Sequence, residues 1–197
     1  MKKNKIIIFC YLIIFQFFFS INVYSEALII GNKNAKITVK VFSSLTCPHC
    51  ATFHEKIYEK LKENYIDKNK VRFEHHAFPL DLAALNAEKI IRCQMNPEKK
   101  FLLLSDIYKL QKKWAVGSDI KKINDMLINI AIKSNTSKEK LLKCLSDETM
   151  QEIILNERID AQKKYNITST PTIYINDKKY EDKHEFKSFK KQIDKLL

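Results

Sequence analysis

The segment Cys47-Pro48-His49-Cys50 constrains this chain most, because its two cysteines stand where an apolar strand gives way to a helix. The β-branched, apolar run 37–42 precedes it, as is typical of a strand. After it, apolar residues recur at helical spacing: Phe53, Ile57, Leu61 and Tyr65. Pro48 suits the first helical position, where its missing N–H costs nothing. The pattern predicts a helix that begins at Pro48 with Cys47 as its N-cap.

This placement predicts a reactive thiol at Cys47. An N-cap side chain faces the free N–H groups of the first turn, here those of His49 and Cys50. These donors, the positive end of the helix and a protonated His49 all stabilise a thiolate. One helical turn also brings Cys50 back beside Cys47, so that the two can bridge. The motif therefore predicts thiol–disulfide exchange.

Two other roles for the cysteine pair remain open, half of a zinc site and a purely structural disulfide. A tetrahedral zinc ion needs two more ligands, and the sequence has no second Cys-x-x-Cys pair. The histidines that remain are not spaced as a compact ligand set: His54, His75, His76 and His184. We expect no metal and no cofactor other than the Cys47–Cys50 disulfide. For His49, the alternative is an exposed histidine at the start of the helix.

Residues 1–25 have the pattern of a secretory signal peptide. Three lysines lie within the first five residues, and residues 6–19 are apolar apart from one glutamine. Small or modest residues follow up to Ser25, after which we expect cleavage. An uncleaved membrane anchor is the alternative, because the apolar stretch reaches about 18 residues. In both cases the folded part is exported.

Export makes the cysteine count informative. Four cysteines follow the signal segment: Cys47, Cys50, Cys93 and Cys144. An even number in an oxidising compartment predicts two pairs. We expect a structural Cys93–Cys144 disulfide, worth about 2–4 kcal/mol of stability. Two buried free cysteines are the alternative.

The chain carries a net charge of +12, which raises the question of a nucleic-acid or anionic membrane partner. Only three of its 35 basic residues are arginines, the side chain that best binds phosphate in a bidentate manner. The lysines are dispersed along the predicted helices. The charge therefore indicates a solvated lysine-rich surface and no nucleic-acid partner.

The remaining patterns predict a second strand, a helical block and a closing α-β-β-α unit. The strand 71–78 follows the cysteine-bearing helix and predicts a parallel βαβ unit. Helices are predicted over 82–95, from Pro97 to Gln111, from Asp119 to Ile130, over a short segment holding Cys144, and over 147–165. Thr136 and Glu139 form a capping box for the short helix. Strands return at 172–175 and up to Tyr180, and an amphipathic helix ends the chain.

This order around Cys47-Pro48-His49-Cys50 resembles an α/β thioredoxin-like fold with an α-helical insertion. More narrowly it resembles the DsbA family of exported thiol–disulfide oxidoreductases. Three further segments are similar to segments of family members: Phe78–Asp81, Gln111–Trp114 and Ser169–Thr172. The resemblance implies a thioredoxin-like domain over 26–80 and 152–197 and a helical insertion over 81–151.

The resemblance also implies roles for the site residues. Cys47 is the nucleophile and the more exposed sulfur, Cys50 is the resolving thiol, and His49 helps to stabilise the Cys47 thiolate. Pro171 completes the catalytic set through a cis peptide bond that faces the cysteines. Thr170 before it touches the disulfide and binds substrate. An ordinary trans proline that opens an edge strand is the alternative for Pro171.

As an activity, the resemblance implies that the chain introduces disulfide bonds into periplasmic or secreted proteins. Its partners would be reduced, unfolded exported proteins and a membrane reoxidising protein of the DsbB type, and it would act as a monomer in the periplasm. A disulfide isomerase or reductase on the same fold and a non-redox binding protein for unfolded chains remain as alternatives.

One position departs from the family pattern. Several relatives place an acidic residue six positions before the first cysteine, where it helps to move the proton of the second thiol. Here that position is Val41, so the sequence assigns no proton acceptor to Cys50.

Overall fold

The computed structural model describes residues 27–197. The predicted signal peptide, residues 1–25, lies outside the described residues. Within residues 27–197, no helix is both long enough and apolar enough to cross a membrane.

A five-stranded mixed sheet forms the centre of the described chain. Its strands are β1 (Leu28–Ile30), β2 (Ile37–Ser43), β3 (Val71–Ala77), β4 (Thr172–Ile175) and β5 (Lys178–Lys179), in the spatial order β1-β3-β2-β4-β5. β2 and β3 are parallel, and the other neighbours are antiparallel. The predicted parallel βαβ unit is therefore confirmed. The three-residue strand β1 was not predicted, because so short a run carries little periodicity.

Eight helices in the described chain surround this sheet. The first, α1, begins as an α-helix over Pro48–Phe53 and continues to Ile66, with π-helical turns over His54–Tyr58 and Lys62–Ile66. The others are α2 (Leu82–Arg92), α3 (Pro97–Lys109), α4 (Gln111–Trp114), α5 (Ile120–Ile132), α6 (Lys138–Leu145), α7 (Glu148–Tyr165) and α8 (Phe186–Leu196). Helices α2 to α7 lie between β3 and β4, which agrees with the expected thioredoxin-like fold with an α-helical insertion.

Polar N-caps explain where most of these helices start. The side chains of Asp81, Asn96, Asp119 and Asp147 each accept a hydrogen bond from a first-turn N–H group, an interaction worth about 1 kcal/mol. The prediction that Thr136 caps α6 is wrong. Ser137 is the N-cap, because the hydroxyl of Thr136 lies in the core and binds the side-chain amide of Gln94 at 2.6 Å.

Two predicted helix ends also differ from the structure. Helix α2 ends at Arg92, with Cys93 as its C-cap, rather than at Met95. Helix α3 ends at Lys109, because the backbone of Leu110 (φ −98°, ψ 7°) leaves the helical range before α4 begins.

The two faces of the sheet carry different layers. On one face, Tyr58 of α1 packs against Phe73 of β3 and Phe101 of α3. On the other face, Phe42 of β2 packs against Tyr165 of α7. Successive side chains of a strand alternate between faces. His75 therefore lies in the first layer and His76, stacked on Phe42, in the second.

Candidate active site

The two cysteines of the motif lie at the start of α1, at the carboxyl end of β2. Cys47 has extended backbone (φ −77°, ψ 119°) and is the N-cap, and Cys50 lies one turn further on. Both are free thiols. Cys47 retains 8% exposure against 1% for Cys50, so a reactant reaches the pair through Cys47. Neither sulfur is widely open to solvent.

The surroundings of Cys47 favour its thiolate. The hydrogen bond from the Cys50 thiol is the main cause that lowers the pKa of Cys47 from 9.0 to about 5, against the opposing effect of burial. Thr170 and the backbone N–H groups of Cys50 and His49 add to the same shift. The predicted first-turn donors therefore contribute, but the partner cysteine contributes more.

Cys50, in contrast, stays protonated. Burial is the largest cause that raises the pKa of its thiol, and the neighbouring Cys47 adds to it. At neutral pH the pair is therefore one thiolate and one thiol, joined by a hydrogen bond. This asymmetry is the arrangement that disulfide exchange requires of an attacking and a resolving sulfur.

The segment before β4 closes the site from the other side. The Thr170–Pro171 peptide bond is cis. In its protonated form, the Cys47 thiol donates a hydrogen bond to the backbone oxygen of Thr170 at 3.4 Å. The hydroxyl of Thr170 is buried and forms no hydrogen bond with any of residues 27–197. His49 is exposed at the beginning of α1.

Two side chains that sequence reasoning did not assign to the site hold the loop before α1. The amide of Gln111 donates to the backbone oxygens of Leu45 and Cys47 at 2.7 and 3.0 Å. Asp81 accepts from the hydroxyl of Thr46 at 2.7 Å while it also caps α2. Both residues belong to segments that resemble the family, which was the available signal, but nothing in the spacing showed their contacts.

A groove of about 550 Å³ runs beside Cys47. Apolar side chains from the loop after β3 and from α2 and α5 line it: Leu80, Leu82, Ile120 and Ile123. Leu80 and Leu82 are about half exposed, at 50% and 54%. The groove thus places exposed apolar surface next to the reachable sulfur.

Three of the four histidines that were weighed as zinc ligands contact other polar side chains, and His184 packs against aromatic rings. His54 contacts Ser105 at 2.7 Å, His75 contacts Glu88 at 2.7 Å, and His76 contacts Glu74 at 2.9 Å. Among the residues that the structure describes, no group of three or more His, Cys, Asp or Glu side chains is arranged to hold a metal ion.

The remaining two cysteines are bonded to each other. A disulfide joins Cys93, at the end of α2, to Cys144 in α6, with their Cα atoms 6.0 Å apart. It links two helices of the block between β3 and β4.

Comparison with known proteins shows which family the chain belongs to. A thioredoxin family model matches residues 24–195. The chain belongs to the thioredoxin family. The crystal structure of α-DsbA1 from Wolbachia pipientis superposes with a TM-score of 0.81 at 29% identity, over 87% of this chain and 90% of that one. Within the thioredoxin family the chain is DsbA-like, and the resemblance drawn from the sequence is confirmed.

Curated relatives carry names that fit this placement. Disulfide bond formation protein D of Bacillus subtilis is 28% identical, over 86% of this chain and 76% of the relative. A Rickettsia bellii protein with the provisional name protein-disulfide oxidoreductase is 31% identical, over 86% of this chain and 64% of the relative. The chain spans between 52% and 64% of the length of the five Rickettsia relatives it matches.

Proposed function

We propose that this DsbA-like chain is a thiol oxidase that introduces disulfide bonds into exported proteins through Cys47 and Cys50. The observation that carries the proposal is the opposed ionisation of the two sulfurs, with the pKa of Cys47 lowered to about 5 and that of Cys50 raised. The names of the Bacillus and Rickettsia relatives support the same activity.

The exchange proceeds in two steps, with Cys47 as the sulfur that meets substrate. In the first, a substrate thiolate attacks the Cys47 sulfur of the Cys47–Cys50 disulfide, and Cys50 leaves and takes up a proton. In the second, another substrate thiolate attacks the substrate sulfur of the mixed disulfide, and Cys47 leaves as a thiolate. Two electrons pass from the substrate to the enzyme, and no other redox group takes part.

The low pKa of Cys47 sets the direction of this exchange. A thiol with a low pKa is a good leaving group, which speeds the second step. Stabilising the thiolate also stabilises the reduced protein, which makes the disulfide form the stronger oxidant. His49 and the helix N-terminus belong to this role, while Thr170 and Pro171 form the wall against which an extended substrate segment lies.

The groove beside Cys47 suits reduced, unfolded exported proteins as substrates. Unfolded chains expose apolar side chains, and Leu80 and Leu82 offer a matching surface next to the sulfur.

The proposal also covers where the protein acts and what reoxidises it. We propose that it acts in the periplasm as a monomer after export through residues 1–25, and that a membrane protein of the DsbB type reoxidises it. The proposal further includes a thioredoxin-like domain over 26–80 and 152–197 with the insertion over 81–151.

The proposal is tested with the oxidised protein and a reduced, unfolded protein that needs disulfides for activity. We expect stoichiometric loss of substrate thiols and gain of substrate activity. Cys47→Ser should abolish both, whereas Cys93→Ser combined with Cys144→Ser, the matched pair outside the site, should retain both. Oxidation that survives Cys47→Ser would overturn the proposal. Repair of a substrate with mispaired disulfides, without net oxidation, would favour the isomerase alternative.

A further inference from the structure

The groove beside Cys47 is lined mostly by apolar side chains and carries one acidic residue. The apolar lining residues come from α2, α5 and the segments just before these helices: Leu80, Leu82, Ala83, Ala115, Ile120 and Ile123. Asp81 is the one acidic residue among the described residues that line the groove, and none of them is basic. In the oxidised protein Cys47 carries no charge, so Asp81 alone sets the sign of the charge along the groove.

The carboxylate of Asp81 is held in one orientation close to the nucleophile. Its Oδ1 atom accepts a hydrogen bond from the backbone N–H of Ala84 at 2.7 Å, and its Oδ2 atom accepts one from the hydroxyl of Thr46 at 2.7 Å. Thr46 is the residue directly before Cys47. A carboxylate has about four lone-pair positions, so these two hydrogen bonds leave each oxygen able to accept another donor.

No basic side chain neutralises Asp81. The residue is exposed, and it forms no salt bridge with any of residues 27–197. Asp119, which lies between two other lining residues, differs in this respect, because the Nζ atom of Lys122 is 3.5 Å from its Oδ2 atom. The positive end of α2 offsets about half an elementary charge at Asp81. A net negative charge therefore remains at the wall of the groove.

This lining is complementary to a substrate segment in which a basic side chain accompanies apolar ones beside the cysteine. The apolar side chains bury surface in the groove, and an ammonium or guanidinium group donates a charge-assisted hydrogen bond to Asp81. The chain itself contains two segments of this composition. Arg92 precedes Cys93 after two isoleucines, and Lys143 precedes Cys144 after two leucines. An unfolded copy of the chain therefore exposes thiols of this kind.

We propose that Asp81 makes the groove select substrate segments that carry apolar side chains and a lysine or arginine beside the reacting cysteine. The inference rests on the proposed exchange at Cys47 and adds the substrate class to it. The basic side chain pairs with the Asp81 carboxylate, the apolar side chains contact Leu80 and Leu82, and the substrate thiolate meets the Cys47 sulfur. The preference is about two- to fivefold, the size expected of an exposed ion pair.

The test uses a peptide with the sequence of residues 140–146, in which Cys144 is the only thiol, and two versions of it with Lys143→Gln or Lys143→Glu. Each peptide is mixed with the oxidised protein at low salt, and acid quenching with mass spectrometry gives the initial rate of mixed-disulfide formation at Cys47. The readout is the ratio of the rates for the lysine and glutamine peptides. We expect Asp81→Asn to lower this ratio about two- to fivefold relative to the natural chain. The ratio for the glutamate and glutamine peptides should rise.

Matched conditions separate the charge of Asp81 from a structural role. Asp147→Asn is the control variant, because Asp147 accepts the N–H of Met150 as the N-cap of α7, lines a different groove and changes the net charge equally. Asparagine caps helices about as well as aspartate, so both variants should fold. Asp147→Asn should keep the ratio of the natural chain. In 1 M salt the natural ratio should approach that of Asp81→Asn, because the screening length falls to about 3 Å.

The outcomes distinguish this inference from the proposed function. Equal ratios in the natural chain and in Asp81→Asn at low salt would overturn the inference alone. An equal decrease in Asp81→Asn and Asp147→Asn would also overturn it, because the net charge of the chain would then explain the preference. Failure of all three peptides to form a mixed disulfide with the natural chain would overturn the proposed function.

Discussion

The sulfur of Cys47 lies 3.4 Å from the backbone oxygen of Thr170, although 123 residues separate the two in the chain. The contact exists because β4 pairs with β2, so the segment before β4 meets the loop that follows β2. Thr170 is also among the groups that lower the pKa of Cys47. The site is therefore built from both ends of the chain.

Replacing Thr170 by valine should raise the pKa of Cys47. The change keeps the shape of the side chain and removes its hydroxyl. The hydroxyl contributes to the lowered pKa of Cys47 without forming a full hydrogen bond, so the pKa should rise by less than the roughly one unit that corresponds to a net hydrogen bond of about 1–1.5 kcal/mol. Titration of the thiolate absorbance of the reduced protein measures the shift. Thr172→Val is the matched control, because the hydroxyl of Thr172 binds the backbone oxygen of Ser169 instead. Equal pKa values in all three proteins would contradict the assignment.

The reduced protein should be more stable than the oxidised one at pH 7, by an amount that depends on pH. The pKa of Cys47 is lowered in the folded state, so its contribution is complete above the ordinary pKa of about 9, decreases as pH falls and is lost below about 5. Urea unfolding of the reduced and the oxidised protein at a series of pH values between 4 and 9 measures this difference in the free energy of unfolding. A stability difference that stays constant across this range would show that the Cys47 thiolate does not stabilise the reduced protein.

Gln111→Met should destabilise the protein and loosen the loop before α1. The substitution leaves the backbone oxygens of Leu45 and Cys47 without their side-chain donor, at a cost of about 1–3 kcal/mol in the free energy of unfolding. Gln94→Met is the control, because Gln94 is a buried glutamine that binds the side chain of Thr136 rather than the loop before α1. Denaturant unfolding should detect a loss in both variants. Only Gln111→Met should change the rate at which Cys47 reacts with a thiol reagent, and equal rates would contradict the role of Gln111.

Removal of the Cys93–Cys144 disulfide should lower the stability of the fold and leave the redox equilibrium of the Cys47–Cys50 pair unchanged. Cys93→Ser combined with Cys144→Ser opens a link across 51 residues. We expect the free energy of unfolding to fall by about 2–4 kcal/mol. The glutathione equilibrium of the Cys47–Cys50 pair, measured on the same variant, should not move. A large shift would mean that the insertion acts on the active-site cysteines.

Much of the fold could be predicted from the sequence, because local signals and periodicity coincide along most of the chain. Pro48 and the apolar residues after it fixed the start of α1. The starts of α2, α3, α5 and α7 were predicted to within one residue, and the structure shows an aspartate or asparagine N-cap at each of them. Thr136 failed as a cap because a tertiary contact with Gln94 decided where its hydroxyl went. Tertiary contacts of this kind leave no mark on local spacing.

The candidate site was less predictable than the fold. The cysteine pair follows from the motif, since the chemistry depends on neighbours in sequence. The hydrogen bonds from Gln111 to the loop before α1 and the contact of Thr170 with Cys47 depend on which strands and helices are adjacent. Such contacts become visible once the topology is known.

The most direct test of the central claim is the glutathione redox equilibrium of the Cys47–Cys50 pair in residues 26–197. The depressed pKa of Cys47 predicts a reduction potential well above about −180 mV, beyond the value of protein disulfide isomerase. That result would support a dedicated oxidase. A potential near about −270 mV, where thioredoxin lies, would contradict the account and assign the chain to reduction instead.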